Sequence, residues 1–483
     1  AYSNLGRALQ KSGLLDQAEY NFKKALALRP DEAIFIANIG VNLCEKRQYQ
    51  AAAEYYQKAL KLNPQYSDAY GSLLMLMNFT TIFSKEEIFQ QHARWQNHVI
   101  DSLPANRTQP LKCTQVTNRR IRVGYVSADF RIHSVAYFFE PLLINQDPEK
   151  IETFCYYNHT IEDDVTLSIK AKSEHWRSIK NMDDLEVAKL IRNDDIDILV
   201  DLAGHTAGSR LKVFVYKPAP IQINWLGYPN TTGLSDMDYR LTDEIADPVG
   251  ESEPYHTETL IRLPHGFLCF KGDPTQSFDC TPPYKNNGFI TFGTFNNLSK
   301  ITDEVIEVWA KVLLAVADSR ILLKCIQFAD DKTKKQILLT FNKFGVEDQR
   351  VELLGKVADT AEHLALYSKV DIALDPFPYN GTTTTFEALW MGVPTLTMTG
   401  DRHSARVGTS ILSRIGLTDF IAADEASYIE KAVSLSQQSD YLVELRRTLR
   451  TRVANSDLCN AQQFAQDIED VFTTLVAKHA KVL

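Results

Sequence analysis

Two hydrophobic rhythms divide the chain. Over the first hundred residues, apolar and small residues return every three or four positions, which is the helical period. That pattern itself repeats. Leu5-Gly6, Leu9, Ala18, Phe22, Ala25 and Pro30 come back 34 residues later as Ile39-Gly40, Leu43, Ala52, Tyr56, Ala59 and Pro64. The glycines would let paired helices approach closely, and the prolines would end each pair. A third unit opens at Tyr70 and Leu73 and fades into a helical stretch over 84–101. Residues 102–120, with Pro104, Pro110 and several Asn, Thr and Lys, read as a linker.

From Ile121 onward the rhythm changes to short apolar runs. Strands are expected at 121–127, 154–157, 196–202, 221–225 and 239–242, with amphipathic stretches at 165–175 and 182–193. A second block starts near Gly288. It predicts strands at 289–293, 319–325, 351–354, 370–374 and 395–398, and helices at 303–316, 332–344, 361–368 and 384–391. Residues 441–480 read as helical, and Pro282-Pro283-Tyr284 as a hinge. Strands alternating with helices imply parallel sheets covered on both faces. The predicted fold class is therefore α/β, with two doubly wound parallel-sheet lobes behind an α-helical repeat. The expected domains are 1–101, a linker at 102–120, a first lobe at 121–284 and a second at 285–483. In such sheets ligands bind outside the carboxyl ends of the strands, so the expected site is the cleft between the lobes.

Composition narrows the function. The chain has 483 residues, 44% hydrophobic and 23% charged, the balance of a globular protein rather than a disordered or fibrous one. Fifty-two basic against 61 acidic residues leave a net charge of −9, which disfavours general nucleic-acid binding but not a local pocket for one phosphate group. Seven cysteines show no C-x-x-C pair and no metal-ligand spacing, as expected of a reduced, intracellular chain. No run of eighteen apolar residues predicts a membrane span. Ala1 stands inside a helical pattern, so no signal peptide is expected and the start reads as a cut within a longer protein. The absence of a P-loop and of G-x-G-x-x-G disfavours a P-loop kinase and a dinucleotide dehydrogenase.

The strongest chemical motif is the run from Asp375 to Glu387, with Asn380-Gly381 and four threonines. It joins a strand end to a helix start, where backbone N–H groups bind anions and Thr hydroxyls add donors. Glu387 shares a helix face with Thr384 and suits a ribose diol; the plain alternative is a capping box. Phe295-Asn296-Asn297-Leu298-Ser299-Lys300 puts a lysine in a strand-to-helix loop, where an ammonium can neutralise a diphosphate or simply face solvent. Asp129 and His133 follow the first strand, and His205 follows the strand 196–202. Either histidine could be a base, a donor or a structural residue. In residues 217–233 turn residues surround the strand 221–225 and make a rigid loop at the cleft, and His363, before the strand 370–374, could stack on a base or sit on a helix surface.

The 34-residue period resembles the tetratricopeptide repeat, whose units stack into a solenoid with a concave binding face. Val123–Phe130, the stretch from Pro218 to Pro229, Phe295-Asn296-Asn297 with Lys300, and Asn380-Gly381 with its threonines resemble the O-GlcNAc transferase/SPINDLY family. Its members are nucleocytoplasmic protein O-glycosyltransferases, with repeats before a GT-B catalytic region. His133-Ser134-Val135, Asn230–Leu234 and Gly381–Thr385 are most similar to the SPINDLY branch. The animal pattern has a histidine where Thr382 stands and an aspartate where Glu387 stands. It also has an intervening domain, for which residues 262–287 are too few.

The resemblance implies that Lys300 contacts the donor diphosphate and that Thr383 and Thr384 bind phosphate. Asn380 and Gly381 complete the donor loop, Glu387 takes the ribose and His363 packs on the base. His133 is the implied acceptor-side residue and candidate base, and His205, Asp129 and Asn296 are further candidates. It implies inverting transfer from UDP-GlcNAc or GDP-fucose to Ser/Thr hydroxyls of proteins held along the repeat groove. No metal, cofactor, nucleic acid or membrane is expected, and the setting is cytoplasmic, or nucleocytoplasmic in a eukaryote. An inactive repeat scaffold and a GT-B enzyme acting on small molecules are the alternatives.

Overall fold

The computed structural model describes residues 1–101, Leu103 and 119–480. The expected linker at 102–120 falls almost wholly outside the described residues. The chain forms two compact units, each built from separated stretches: 1–83 with 272–454, and 84–271 with 455–483.

The repeat opens the first of these units as five helices, Tyr2–Lys11, Leu15–Leu28, Ala33–Glu45, Tyr49–Leu62 and Ser67–Phe79. The sequence period has a direct packing cause. A Cβ on Gly6 would lie 2.6 Å from the Phe22 ring, and one on Gly40 would lie 2.7 Å from Tyr56, its counterpart one period on. Glycine followed by an aromatic ring one helix later is thus the repeated contact. Lys85–Asp101, the next helix, belongs to the other unit.

The unit holding residues 84–271 and 455–483 contains seven parallel strands: β1 (Ile121–Ser127), β2 (Ile151–Tyr157), β3 (His175–Ser178), β4 (Ile198–Asp201), β5 (Ile221–Asn224), β6 (Tyr239–Thr242) and β7 (Thr259–Arg262). Their order is β3-β2-β1-β4-β5-β6-β7. The repeat-bearing unit contains six more: β8 (Thr291–Thr294), β9 (Arg320–Lys324), β10 (Val351–Leu354), β11 (Ile372–Leu374), β12 (Thr395–Met398) and β13 (Ile421–Ala422), ordered β10-β9-β8-β11-β12-β13 and again parallel. The central strands are buried on both faces, as helices on either side require. The α/β fold with two doubly wound lobes and a helical repeat is the architecture expected. In each sheet the strand order reverses once, between β1 and β4 and between β8 and β11. That is where open α/β sheets bind ligands.

The C-terminal stretch differs from expectation. It forms two helices, Ser439–Ala454 and Ala461–Ala480, with Ser456–Asn460 between them. The second of these returns to the β1 sheet unit. Its Phe464, Ile468 and Phe472 are buried, and Glu469 accepts the Asp147 N–H at 2.7 Å. A continuous helical pattern cannot say which sheet receives its apolar face.

Candidate functional site

In the repeat-bearing unit, the loops on either side of the strand reversal hold the two strongest motifs. After β8, Asn297 starts a short turn, Leu298–Lys300, and its side chain accepts the Ser299 N–H at 2.9 Å. The turn aims Lys300 across the sheet end at the loop after β11. There Lys300 Nζ donates to the Asn380 carbonyl at 2.9 Å and lies 4.1 Å from the centre of the Tyr379 ring. Asn380 is itself fixed on all sides. Its N–H donates to the Ser404 carbonyl at 2.8 Å, its Nδ2 to Pro376 at 3.0 Å, and its Oδ1 accepts from the Gly408 N–H at 3.3 Å.

Asp375 lies beneath this pair, buried, accepting from the Gly381 N–H at 2.6 Å and from Thr397 Oγ1 at 2.7 Å. Burial pushes the Asp375 carboxyl well above the carboxylate range, and the two hydrogen bonds and Lys300 pull back. Burial likewise pushes the Lys300 ammonium down, with Asp375 opposing. Two buried groups of opposite sign hold each other's charge where neither has enough water. A second negative group beside Lys300 would favour its charged form.

Helix Thr383–Trp390 starts at this point, and Thr382 at its N-cap makes no side-chain capping bond. Thr384 Oγ1 donates to Asn296 Oδ1 at 3.1 Å, and the Tyr367 hydroxyl donates to the Thr384 carbonyl at 3.1 Å. The capping box is therefore not formed, and the helix start is left to other partners. Thr382, Thr383 and Thr384 are half-buried at the rim, while Thr385 is buried. Phe295, Asn296, Tyr367, Asp375, Thr384 and Thr385 line a small recess there.

Glu387 and His363 meet. His363 Nε2 is 3.0 Å from Glu387 Oε2, and Lys324, at the end of β9, places Nζ 2.7 Å from His363 Nδ1. A lysine can only donate, so Nδ1 carries the lone pair and Nε2–H donates to Glu387. The imidazole packs beside Phe295 and Tyr367, with ring centroids at 5.6 and 5.9 Å. Lys300, Asn296, Asn380, Gly381, Thr383, Thr384, Glu387 and His363 thus belong to one sheet end.

In the other unit, Asp129 and His133 follow β1, and His205 follows β4. Asp129 is buried and accepts from Arg131 at 3.1 Å. His133 is the N-cap of helix Ser134–Asn145, and its Nδ1 accepts the Val135 N–H at 3.2 Å. Desolvation holds the imidazole below its usual pKa, against Asp129 and with Arg131. Because Nδ1 is the acceptor, the neutral ring carries its proton on Nε2. In this arrangement the Nε2–H is a hydrogen-bond donor. His205 is buried against Trp95, His92 and Tyr228, with centroids at 4.5, 5.2 and 5.2 Å. Its Nε2–H donates to the Thr232 carbonyl at 2.8 Å, and burial pushes its pKa down to about 4. It holds the loop at Asn230–Gly233, which Glu258 anchors further through Thr231 Oγ1 and the Thr232 N–H, both at 2.6 Å.

Sequence reasoning placed Asp375 and Tyr379 in the strongest motif without giving either a role, and passed over Lys324. Asp375 directly follows an apolar strand, and an acid in that place beside a threonine cluster was the available signal. Tyr379 and Lys324 had none. Among the described residues no group of three or more His, Cys, Asp or Glu side chains could hold a metal ion. No helix among them is long and apolar enough to cross a membrane.

The profile of glycosyl transferase family 41 matches residues 73–281 and 284–468, and tetratricopeptide-repeat profiles match 1–29 and 33–66. The chain is 40% identical over 424 residues to the probable UDP-N-acetylglucosamine–peptide N-acetylglucosaminyltransferase SPINDLY of Oryza sativa subsp. japonica, covering 87% of this chain and 45% of that protein. It is 25% identical over 472 residues to the UDP-N-acetylglucosamine–peptide N-acetylglucosaminyltransferase of Caenorhabditis elegans, covering 73% of this chain and 40% of that one. It thus spans under half the length of these relatives. A solved lysine-to-methionine mutant of the Thermobaculum terrenum O-GlcNAc transferase superposes with a TM-score of 0.93 at 32% identity, covering 100% of this chain and 91% of that one.

Proposed function

This chain belongs to glycosyl transferase family 41, and on that premise we propose that it moves a sugar from a nucleoside diphosphate donor to serine or threonine hydroxyls of proteins. The transfer inverts the anomeric carbon and uses no metal ion. The observation that carries this reading is the meeting of Lys300 Nζ with the uncapped start of helix Thr383–Trp390 at Asn380–Gly381. As the anomeric C–O bond breaks, charge builds on the departing diphosphate. A desolvated ammonium and free helical N–H groups at that point stabilise the developing charge more than they stabilise the ground state. Thr383 and Thr384 add hydroxyls at the rim. Glu387, held by His363, takes the ribose, and the imidazole face between Phe295 and Tyr367 takes the base. His133 serves as a hydrogen-bond donor.

The donor is UDP-GlcNAc or GDP-fucose, the acceptor a protein segment along the repeat. The test offers each donor separately, measures nucleotide release and weighs the acceptor proteins intact. One donor should release its nucleotide and add its sugar's mass. Binding without release from either donor would favour the repeat scaffold and overturn the proposal. Release without a mass change on protein would favour a small-molecule acceptor.

A further inference from the structure

The repeat helices reach the Lys300 loop from two directions. Tyr49, the first residue of helix Tyr49–Leu62, is buried and donates its hydroxyl to the Ser299 carbonyl at 3.1 Å. Ser299 directly precedes Lys300. The turn satisfies its own Ser299 and Lys300 N–H groups on the side chain and carbonyl of Asn297, at 2.9 and 3.0 Å. The Ser299 carbonyl is the point where the repeat takes hold. Phe79, the last residue of helix Ser67–Phe79, packs its ring on Tyr379 at a centroid distance of 5.2 Å. Tyr379 in turn carries the Lys300 ammonium over its face. Cys44 of the repeat also reaches Ser299, and Arg47 pairs with Asp303, three residues beyond Lys300. Two further contacts of the repeat within this unit lie away from the loop. Lys332 pairs with Asp16 at 2.5 Å, and Gln327 donates to Glu45 at 3.3 Å.

We propose that Tyr49 and Phe79 are positioning residues for Lys300, so that the repeat sets where the ammonium stands. Tyr49 fixes the backbone behind the lysine, and Phe79 fixes the ring beneath its charge. The repeat then does more than hold an acceptor. It is part of the frame on which the leaving group is stabilised, and a shift of about 1 Å in such a frame can cost up to about a hundredfold in rate. The inference rests on the reading of Lys300 as the cation of the diphosphate.

The test uses the full chain and the variants Tyr49→Phe, Phe79→Leu, Lys332→Ala and Lys300→Met. Tyr49→Phe removes one hydroxyl and keeps the ring. Turnover is measured with the active donor, and UDP and GDP affinities are measured by calorimetry. Tyr49→Phe and Phe79→Leu should lower kcat about fivefold to twentyfold with donor KM within about twofold, the mark of an interaction used in the transition state. Lys332→Ala, which loosens the same repeat elsewhere, should keep the wild-type kcat. Placed in the Lys300→Met background, Tyr49→Phe should change the remaining rate and nucleotide affinity no further. Wild-type kcat in both Tyr49→Phe and Phe79→Leu would overturn the proposal. So would an undiminished loss in the Lys300→Met background, or an equal loss from Lys332→Ala. Wild-type turnover by Lys300→Met would instead overturn the reading of Lys300 itself.

Discussion

His363 donates from Nε2 to Glu387 Oε2 at 3.0 Å, so the residues expected to contact base and ribose are tied to each other. Lys324 extends the tie through His363 Nδ1. Groups linked in this way contribute as a unit rather than singly. Glu387→Gln and His363→Phe should each weaken nucleotide affinity about tenfold, and the double variant should be little worse than either. The coupling energy expected from a double-mutant cycle is about 1 kcal/mol. Calorimetry with UDP and GDP on the four proteins measures it, and strict additivity would show that the two side chains act independently.

Lys300→Met keeps the apolar stem and deletes the charge. Loss of a group that stabilises developing negative charge typically costs about 10² to 10³ in kcat. The fold should survive. Burial already disfavours this ammonium, and Asp375 already lies above the carboxylate range, so the acid can take up a proton when its cation is gone. Initial rates and a thermal melt on the same sample decide the matter. A variant that melts like wild type but transfers sugar about 10² to 10³ times more slowly is the expected outcome, and one that transfers at the wild-type rate would remove Lys300 from the mechanism.

Much of this was legible in the chain. The 34-residue period was visible because Gly6 and Gly40 each face an aromatic ring, Phe22 and Tyr56, and so cannot vary freely. The motifs around Lys300 and Asn380 were visible because loops after β8 and β11 hold unusual polar runs at strand ends. Three strands were missed, β3, β7 and β13. They lie at sheet edges, and β3 and β7 are half-exposed, so they lack the apolar run that marks a buried strand. The burial of His205 had no sign in the sequence, because it comes from His92 and Trp95, more than a hundred residues earlier. The break at Asn455–Asn460 did have a signal in its Asn, Ser and Asp residues, which favour turns over helix.

Gly381 is required by space rather than by backbone angle. A Cβ there would stand 2.6 Å from Thr384 Oγ1, 2.8 Å from Thr385 Oγ1 and 3.0 Å from Asp375 Oδ1. Thr384 is held by Asn296, and Asp375 by Thr397, so neither yields freely. Gly381→Ala should destabilise the protein by about 1–3 kcal/mol, the usual cost of overpacking. It should also weaken UDP or GDP binding, because the relief comes from moving the helix start. Chemical denaturation and calorimetry test both. An alanine variant with unchanged stability and affinity would mean that the loop relaxes without touching the donor site.

Glu45 gives the repeat a pH dependence. It is half-buried, with Gln10 donating to Oε1 at 3.0 Å and Gln327 to Oε2 at 3.3 Å. Burial raises its pKa from 4.5 to about 7, and the two amide donors only partly oppose this. A carboxyl with a raised folded pKa binds more protons folded than unfolded between those two values. Its contribution is therefore fully present below pH 4.5 and is lost progressively as pH rises from 4.5 to about 7. Glu45→Gln removes this titration. Subtracting the wild-type unfolding free energy from that of the variant should give a difference that rises by about 1–3 kcal/mol between pH 5 and 8, in favour of the variant. Denaturant titrations at several pH values measure that difference directly, because every other titrating group cancels in the subtraction. A difference that stays level across the range would show that Glu45 ionises in the folded protein as it does in the unfolded chain.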